Sequence, residues 1–157
     1  MVSKGTATTA PADREIVITR LLNAPRELVF KAWTDRELIR QWWGPRGFTT
    51  TTHEMDVRPG GVWRFIMHGP DGTDYDNRIV YVEIVEPERL VYNHGGDDGA
   101  VQFRATVTFV EQGGKTALTM HSLFPSAEER DRVVREYHAI EGGKQTLDRL
   151  EEYLARI

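Results

Sequence analysis

The sequence predicts an α+β domain in which a curved, seven-stranded antiparallel sheet wraps around a long C-terminal helix, with two short helices after strand one. Three observations predict this fold. A β-branched run at residues 15–22 is followed by two short stretches with helical spacing. Between residues 49 and 124 helical spacing is absent, and alternating runs are separated by Gly, Pro and Asp clusters. A capped helical segment then ends the chain, and it is the only element long enough to cover the sheet.

The first strand is predicted to end where Asn23 and Pro25 begin a short helix, as its N-cap and a first-turn residue. A second short helix follows from Asp35, and Gly44-Pro45 ends it. Together the two short helices form an αα corner directly after strand one.

Six further strands are predicted as an antiparallel meander. In one of them Trp63, Phe65 and Met67 share a face, and residues 101–109 alternate strictly between apolar and polar side chains. Turn sequences separate the strands at residues 58–61, 69–72, 86–88, 95–99 and 112–114.

The last helix is predicted to begin at Ser126, which forms a capping-box pattern with Glu129. Apolar residues and one glycine then recur at three- and four-residue steps and would face the sheet. This stripe comprises Ile140, Gly143, Leu147, Leu150, Leu154 and Ile157.

Composition restricts the class of protein. The 157 residues suit one domain, which we assign to residues 14–157, and the Thr/Ala/Pro-rich residues 1–13 are expected to be a disordered leader without a targeting segment. The net charge of −4 argues against nucleic-acid or anionic-membrane binding. The absence of cysteine excludes disulfides and thiolate sites. We expect a cytoplasmic protein without a membrane span, and its oligomeric state stays open.

Five motifs in order resemble those of the START-like helix-grip (SRPBCC) superfamily, and within it the activator of Hsp90 ATPase homologue-like family. They lie at residues 24–34, 41–45, 56–61, 86–91 and 141–150, and the resemblance runs from about residue 15 to the C-terminus. It implies a hydrophobic cavity between the curved sheet and the long helix. Many members of such families have no established catalytic activity.

Aromatic residues concentrate near this implied cavity, although each of them also suits ordinary core packing. We predict a cavity floor formed by Trp63, Phe65 and Met67 and a rim formed by Trp42, Trp43 and Phe48. The further candidate ligand-binding residues are Tyr75, Phe103, His121, Tyr137, Glu141 and Gly143.

The five histidines do not show the spacing of a metal site, so we expect neither a metal nor another cofactor. His121 is the candidate for orienting a polar group of the ligand. Serine occurs only at Ser3, Ser122 and Ser126, without a nucleophile motif. No catalytic residue is therefore assigned, and Glu141 is the best candidate if acid/base chemistry occurs in the cavity.

Gly143 departs from the family pattern, because many members have a Trp at the aligned position. Two adjacent glycines, Gly142 and Gly143, cost helix stability, which suggests a compensating need. The missing indole could enlarge the cavity for a bulkier ligand, or the pair could kink the helix to follow the sheet.

The favoured function is binding of a small apolar or amphipathic molecule in the cavity without catalysis, in a carrier or sensor role. One alternative is a cyclase- or hydrolase-like enzyme that acts on a polycyclic substrate. The other is a co-chaperone-type stress-response protein, although the chain has only one START-like domain to engage a chaperone partner.

Overall fold

The computed structural model describes residues 13–96 and 100–157. The predicted leader therefore falls almost entirely outside the described residues, as do residues 97–99 of the predicted flexible tip. The strands are β1 Glu15–Leu22, β2 Thr49–Met55, β3 Val62–His68, β4 Asp74–Val85, β5 Arg89–Gly95, β6 Val101–Gln112 and β7 Lys115–Leu123. The helices in these ranges are α1 Arg26–Thr34, α2 Arg36–Ile39, α3 Ala127–Tyr137 and α4 Ala139–Leu154.

The predicted α+β architecture is confirmed. The seven strands form one antiparallel sheet in the order β1-β7-β6-β5-β4-β3-β2, so β1 joins the meander beside the last strand. Register shifts in the β2–β3, β4–β5 and β5–β6 pairs mark irregularities of the kind that bend strands. The two short helices follow β1, and the C-terminal helical segment packs against β1 on the inner face of the sheet.

The C-terminal segment differs from the prediction, because it is two helices where one long helix was expected. His138 separates α3 from α4 and has a left-handed backbone, with φ 52° and ψ 48°. The predicted cap at Ser126 is present, since the Glu129 amide donates to its hydroxyl oxygen at 3.1 Å. The Glu129 carboxylate, however, pairs with Arg132 and does not complete the box.

The core lies on the inner face of the sheet and is closed at one end by the αα corner. Phe30 of α1 packs edge-on against Phe109 of β6, with ring centroids 5.3 Å apart. Trp33 of the same helix contacts Trp42 and Trp43. Buried and less buried residues alternate along β3 and β6, so the apolar side chains of both strands point into this core.

Burial on the inner face decreases along the strands away from the αα corner. On β3, Trp63 and Phe65 are buried while Met67 is half-buried. On β5, Tyr92 is buried while His94 is half-buried. The inner face thus has a closed end at the αα corner and a less completely covered end opposite it. None of the helices within residues 13–96 and 100–157 has the length and apolar character to cross a membrane.

Candidate functional site

The closed end is filled by aromatic side chains that contact one another. Trp42 is fully buried, and its indole N–H donates to the Ala32 carbonyl at 3.2 Å. Trp43 is 7% exposed and packs edge-on against Trp63 at 5.2 Å. The structure therefore places Trp42 and Trp43 in the core, which corrects the expectation that they form a rim.

Little empty space remains among these aromatic residues. A cavity of about 10 Å³ is lined by Trp33, Ile39, Trp43, Trp63, Ile79, Tyr81, Leu90 and Tyr92. That volume is at the lower limit for a single water molecule. In this conformation the closed end has no room for an organic ligand, and Trp63 and Phe65 pack as core residues, with their rings stacked at 4.0 Å.

The opposite end of the inner face carries a group of half-buried side chains, which we call the open end. It consists of Met67, Asn77, His94, Phe103 and Met120. Strand register brings them to one face, since Asn77 lies opposite Phe65, His94 opposite Phe103, and Met120 opposite Val107. The open end therefore combines three apolar side chains with two polar ones.

The two polar side chains of the open end bind each other. His94 Nε2 lies 2.9 Å from the Asn77 side-chain oxygen, and the Asn77 amide nitrogen donates to the Tyr75 carbonyl at 3.0 Å. With the Asn77 oxygen as acceptor, Nε2 carries the hydrogen and Nδ1 is left as an acceptor. The tautomer of His94 is thus assigned by its partner.

His94 is surrounded by rings. Its centroid lies 4.9 Å from that of Phe103 and 6.0 Å from that of Phe65. Burial in these surroundings disfavours the charged imidazolium and lowers the pKa of His94 from 6.5 to about 4. The imidazole is therefore neutral near pH 7 and presents a polar but uncharged group on an aromatic surface.

Three of the predicted site residues come together beside the open end. Met67 lies opposite Tyr75 across the β3–β4 pair, and the Phe48 ring centroid is 6.1 Å from that of Tyr75. Tyr75 is 38% exposed and Phe48 is half-buried. Phe48 and Tyr75 thus extend the apolar surface of the open end from Met67 to the loop before β2.

Other predicted site residues lie apart from this group. His121 is on the outer face of β7, because the neighbouring Met120 points inward, and its Nε2 lies 2.9 Å from Glu15 Oε2. Tyr137 is 61% exposed, with the Arg132 guanidinium over its ring. Glu141 is exposed in the first turn of α4. These three side chains do not line the open end, and the exposed Glu141 carboxylate lies outside the apolar interior where acid/base chemistry was expected.

Gly142 and Gly143 permit close packing of α4 on both sides. A Cβ on Gly143 would lie 2.5 Å from Ile18 Cδ1, and a Cβ on Gly142 would lie 3.4 Å from Pro45 Cγ. The space in front of Gly143 is thus occupied by β1, which corrects the expectation that a missing indole opens the cavity there. The helix break occurs at His138, and α4 continues without interruption through Gly142 and Gly143.

Arg149 of α4 holds the loop that follows α2. Its Nη1 lies within hydrogen-bond distance of four backbone carbonyl oxygens, those of Trp43, Gly44, Pro45 and Phe48, at 2.9–3.3 Å. Burial and the neighbouring Arg46 both lower its pKa. Sequence reasoning missed this contact, although Arg149 lies within the last of the five motifs.

Sequence reasoning also missed His94 and Asn77. The available signal was alternation, because His94 is two residues from the buried Tyr92, and Asn77 is two residues from the buried Ile79. Within residues 13–96 and 100–157, no three His, Asp or Glu side chains group together as metal ligands would.

Comparison with known proteins places the chain in a family. A crystal structure of a protein from Mycobacterium smegmatis is similar with a TM-score of 0.84 and 26% identity, covering 93% of this chain and 94% of that one. A solution structure of a protein from Staphylococcus epidermidis is similar with a TM-score of 0.78 and 26% identity, covering 91% and 90%. No curated protein sequence matches the chain. The family model described as Activator of Hsp90 ATPase homolog 1-like protein matches residues 23–155, and the chain belongs to this family.

Proposed function

We propose that the protein binds a small amphipathic molecule at the open end of the sheet's inner face, without catalysis. The observation that carries the proposal is the His94–Asn77 pair, because a neutral hydrogen-bonded pair sits among half-buried Met67, Phe103 and Met120. Ligand sites commonly combine an apolar lining with a few polar groups that set orientation.

The polar pair indicates which chemistry the ligand presents. Nδ1 of His94 has no hydrogen-bond partner among the described residues, so it offers an acceptor to a ligand hydroxyl or N–H group. The flanking rings of Phe103 and Phe65 offer flat apolar contacts. A largely apolar molecule with one hydrogen-bond donor fits this combination.

The C-terminal helices supply the opposite wall in this proposal. Val133, Val134, Ala139 and Ile140 are partly buried and pack against the core. Helix α3 buries none of its residues completely, so its displacement would uncover no fully buried side chain of its own. Entry of a ligand would therefore require little loss of packing on this side.

Uptake of the neutral dye N-phenyl-1-naphthylamine, followed by fluorescence titration, tests the proposal. We expect saturable binding that Phe103→Ala weakens by about tenfold, since a large apolar contact is lost. The matched control is Val110→Ala, which shortens a half-exposed side chain on the outer face of β6. Circular dichroism establishes that both variants are folded.

Two outcomes would contradict ligand binding at the open end. One is dye binding that does not saturate, and the other is equal affinity in the Phe103→Ala and Val110→Ala variants.

Two separate experiments address the natural ligand and the co-chaperone alternative. Native mass spectrometry of the protein purified from its host should reveal a co-purified small molecule and so identify the natural ligand class. A pull-down with purified Hsp90, in which we expect no binding, addresses the co-chaperone alternative.

A further inference from the structure

A second concave site lies outside the core, between the loop that follows α2 and the last turns of α4. It has a volume of about 250 Å³ and is open to solvent. Five of its six lining residues are polar or charged, and the six are Gln41, Arg46, Gly47, Arg149, Glu152 and Arg156. We call it the arginine pocket.

Only one of the three guanidinium groups that line the arginine pocket forms an ion pair with a carboxylate of the described residues. Arg46 binds Glu152 through two hydrogen bonds, of 3.2 and 2.6 Å, and its Nη2 lies 4.0 Å from Asp148 Oδ2. Arg149 and Arg156 form no ion pair with a carboxylate among the described residues. The Glu152 carboxylate, which binds Arg46 directly, also acts on Arg149 and Arg156 at longer range, so three guanidinium groups that line the pocket face one lining carboxylate.

Arg149 is fixed in position before any ligand arrives. Its Nη1 is held by the backbone carbonyls of residues 43–45 and 48, while its Nε and Nη2 have no acceptor among the described residues. Because one nitrogen is anchored, little side-chain entropy is lost when the others bind a ligand. Burial and, to a smaller extent, the nearby Arg46 disfavour the positive charge of Arg149, whereas Glu152 favours it, and a bound anion would favour it further.

We propose that the arginine pocket binds a small oxyanion, a carboxylate or phosphate group held between Arg149 and Arg156. Guanidinium groups present paired N–H donors that match the oxygens of both groups. The pocket volume suits a small anion better than a drug-sized molecule. This site is separate from the open end and does not depend on the proposed function there.

The test is a nuclear magnetic resonance titration of the whole chain with inorganic phosphate, and separately with acetate, at constant ionic strength. We expect saturable shifts of the Gly47 amide and the Arg149 Nε resonance. Arg156→Gln should weaken binding by about tenfold, since one charge-assisted contact is lost. Glu152→Gln should tighten binding, because it removes the only carboxylate that lines the pocket.

The matched control is Arg135→Gln, which removes one exposed guanidinium from α3 and changes the net charge equally. Saturation by phosphate alone or by acetate alone supports the site and assigns the class of oxyanion. Shifts that do not saturate with either anion, or equal affinities in the Arg156→Gln and Arg135→Gln variants, would overturn the proposal. Uptake of the neutral dye should be unchanged in Arg156→Gln, so failure of either site is distinguishable from failure of the other.

Discussion

The substitution Gly143→Ala tests whether the absence of a side chain at this position is needed for close packing of α4 against β1. Two effects oppose each other. Replacing a helical glycine by alanine stabilises a helix by about 0.8–1 kcal/mol. At Gly143, however, the new Cβ would lie 2.5 Å from Ile18 Cδ1, which must move by about 1 Å to regain an ordinary carbon–carbon separation of about 3.5 Å.

We expect the clash to outweigh the gain in helix propensity. Ile18 is buried, so its Cδ1 has little space to move, and overpacking of this kind costs about 1–3 kcal/mol. We expect Gly143→Ala to lower the free energy of unfolding by up to about 2 kcal/mol. Gly142→Ala is the matched control, because its Cβ meets only Pro45 Cγ at 3.4 Å, and it should be neutral or stabilising.

Chemical denaturation of a double-mutant cycle measures the contact directly. Ile18→Val removes Cδ1 and by itself should cost about 0.5–1.5 kcal/mol. In the Gly143→Ala background the same change relieves the clash, so it should cost less or stabilise. Additive effects of the two substitutions, or a Gly143→Ala variant as stable as Gly142→Ala, would refute the close-packing argument.

Further predictions concern the core, the open end, the junction between α3 and α4, and the contact of Arg149 with the loop after α2. Trp63→Ala should lower the free energy of unfolding by about 3–5 kcal/mol, and an unchanged melting curve would show that this ring is not part of the core. The folded-state pKa of His94 is about 4 against an ordinary 6.5, so below pH 6.5 the unfolded chain takes up a proton that the folded chain does not. Stability should therefore fall as pH drops from 6.5 towards 4, and denaturation of His94→Gln should show a shallower fall; equal slopes would exclude His94 as the cause. His138→Gly should raise stability by about 0.5–1 kcal/mol by relieving a left-handed backbone, whereas a loss would mean that the His138 side chain contributes more than the strain costs. Arg149→Met should cost about 2 kcal/mol and increase hydrogen exchange in residues 43–48, and unchanged exchange there would contradict the anchoring role.

Much of the fold could be predicted from the sequence, because its signals are local. The alternation of β3 and β6 assigns the buried faces of both strands, and Ser126 caps a helix through a contact only three residues away. The αα corner follows from helical spacing and its glycine and proline residues. Each of these patterns depends on neighbouring residues within one element, so the amino-acid sequence alone is enough to predict that element.

The candidate site was less predictable, because it depends on which elements meet. His94 and Asn77 are 17 residues apart and bind each other only because β4 and β5 pair in one register. A shift of that register by one residue would turn His94 to the outer face, where His121 lies. No local pattern distinguishes these two histidines.

The tertiary structure likewise decided the roles of the tryptophans and glycines. Trp42 and Trp43 suit a rim or a core equally well by composition, and their burial follows from the packing of the segment after α2 against α1 and β3. From the sequence, Gly143 could provide cavity volume, a helix kink or a close helix–strand contact. The position of Ile18 in the structure identifies the close contact. The sequence by itself thus determined the elements and their buried faces, because backbone periodicity is local. Which side chains face each other across those elements was decided by long-range packing.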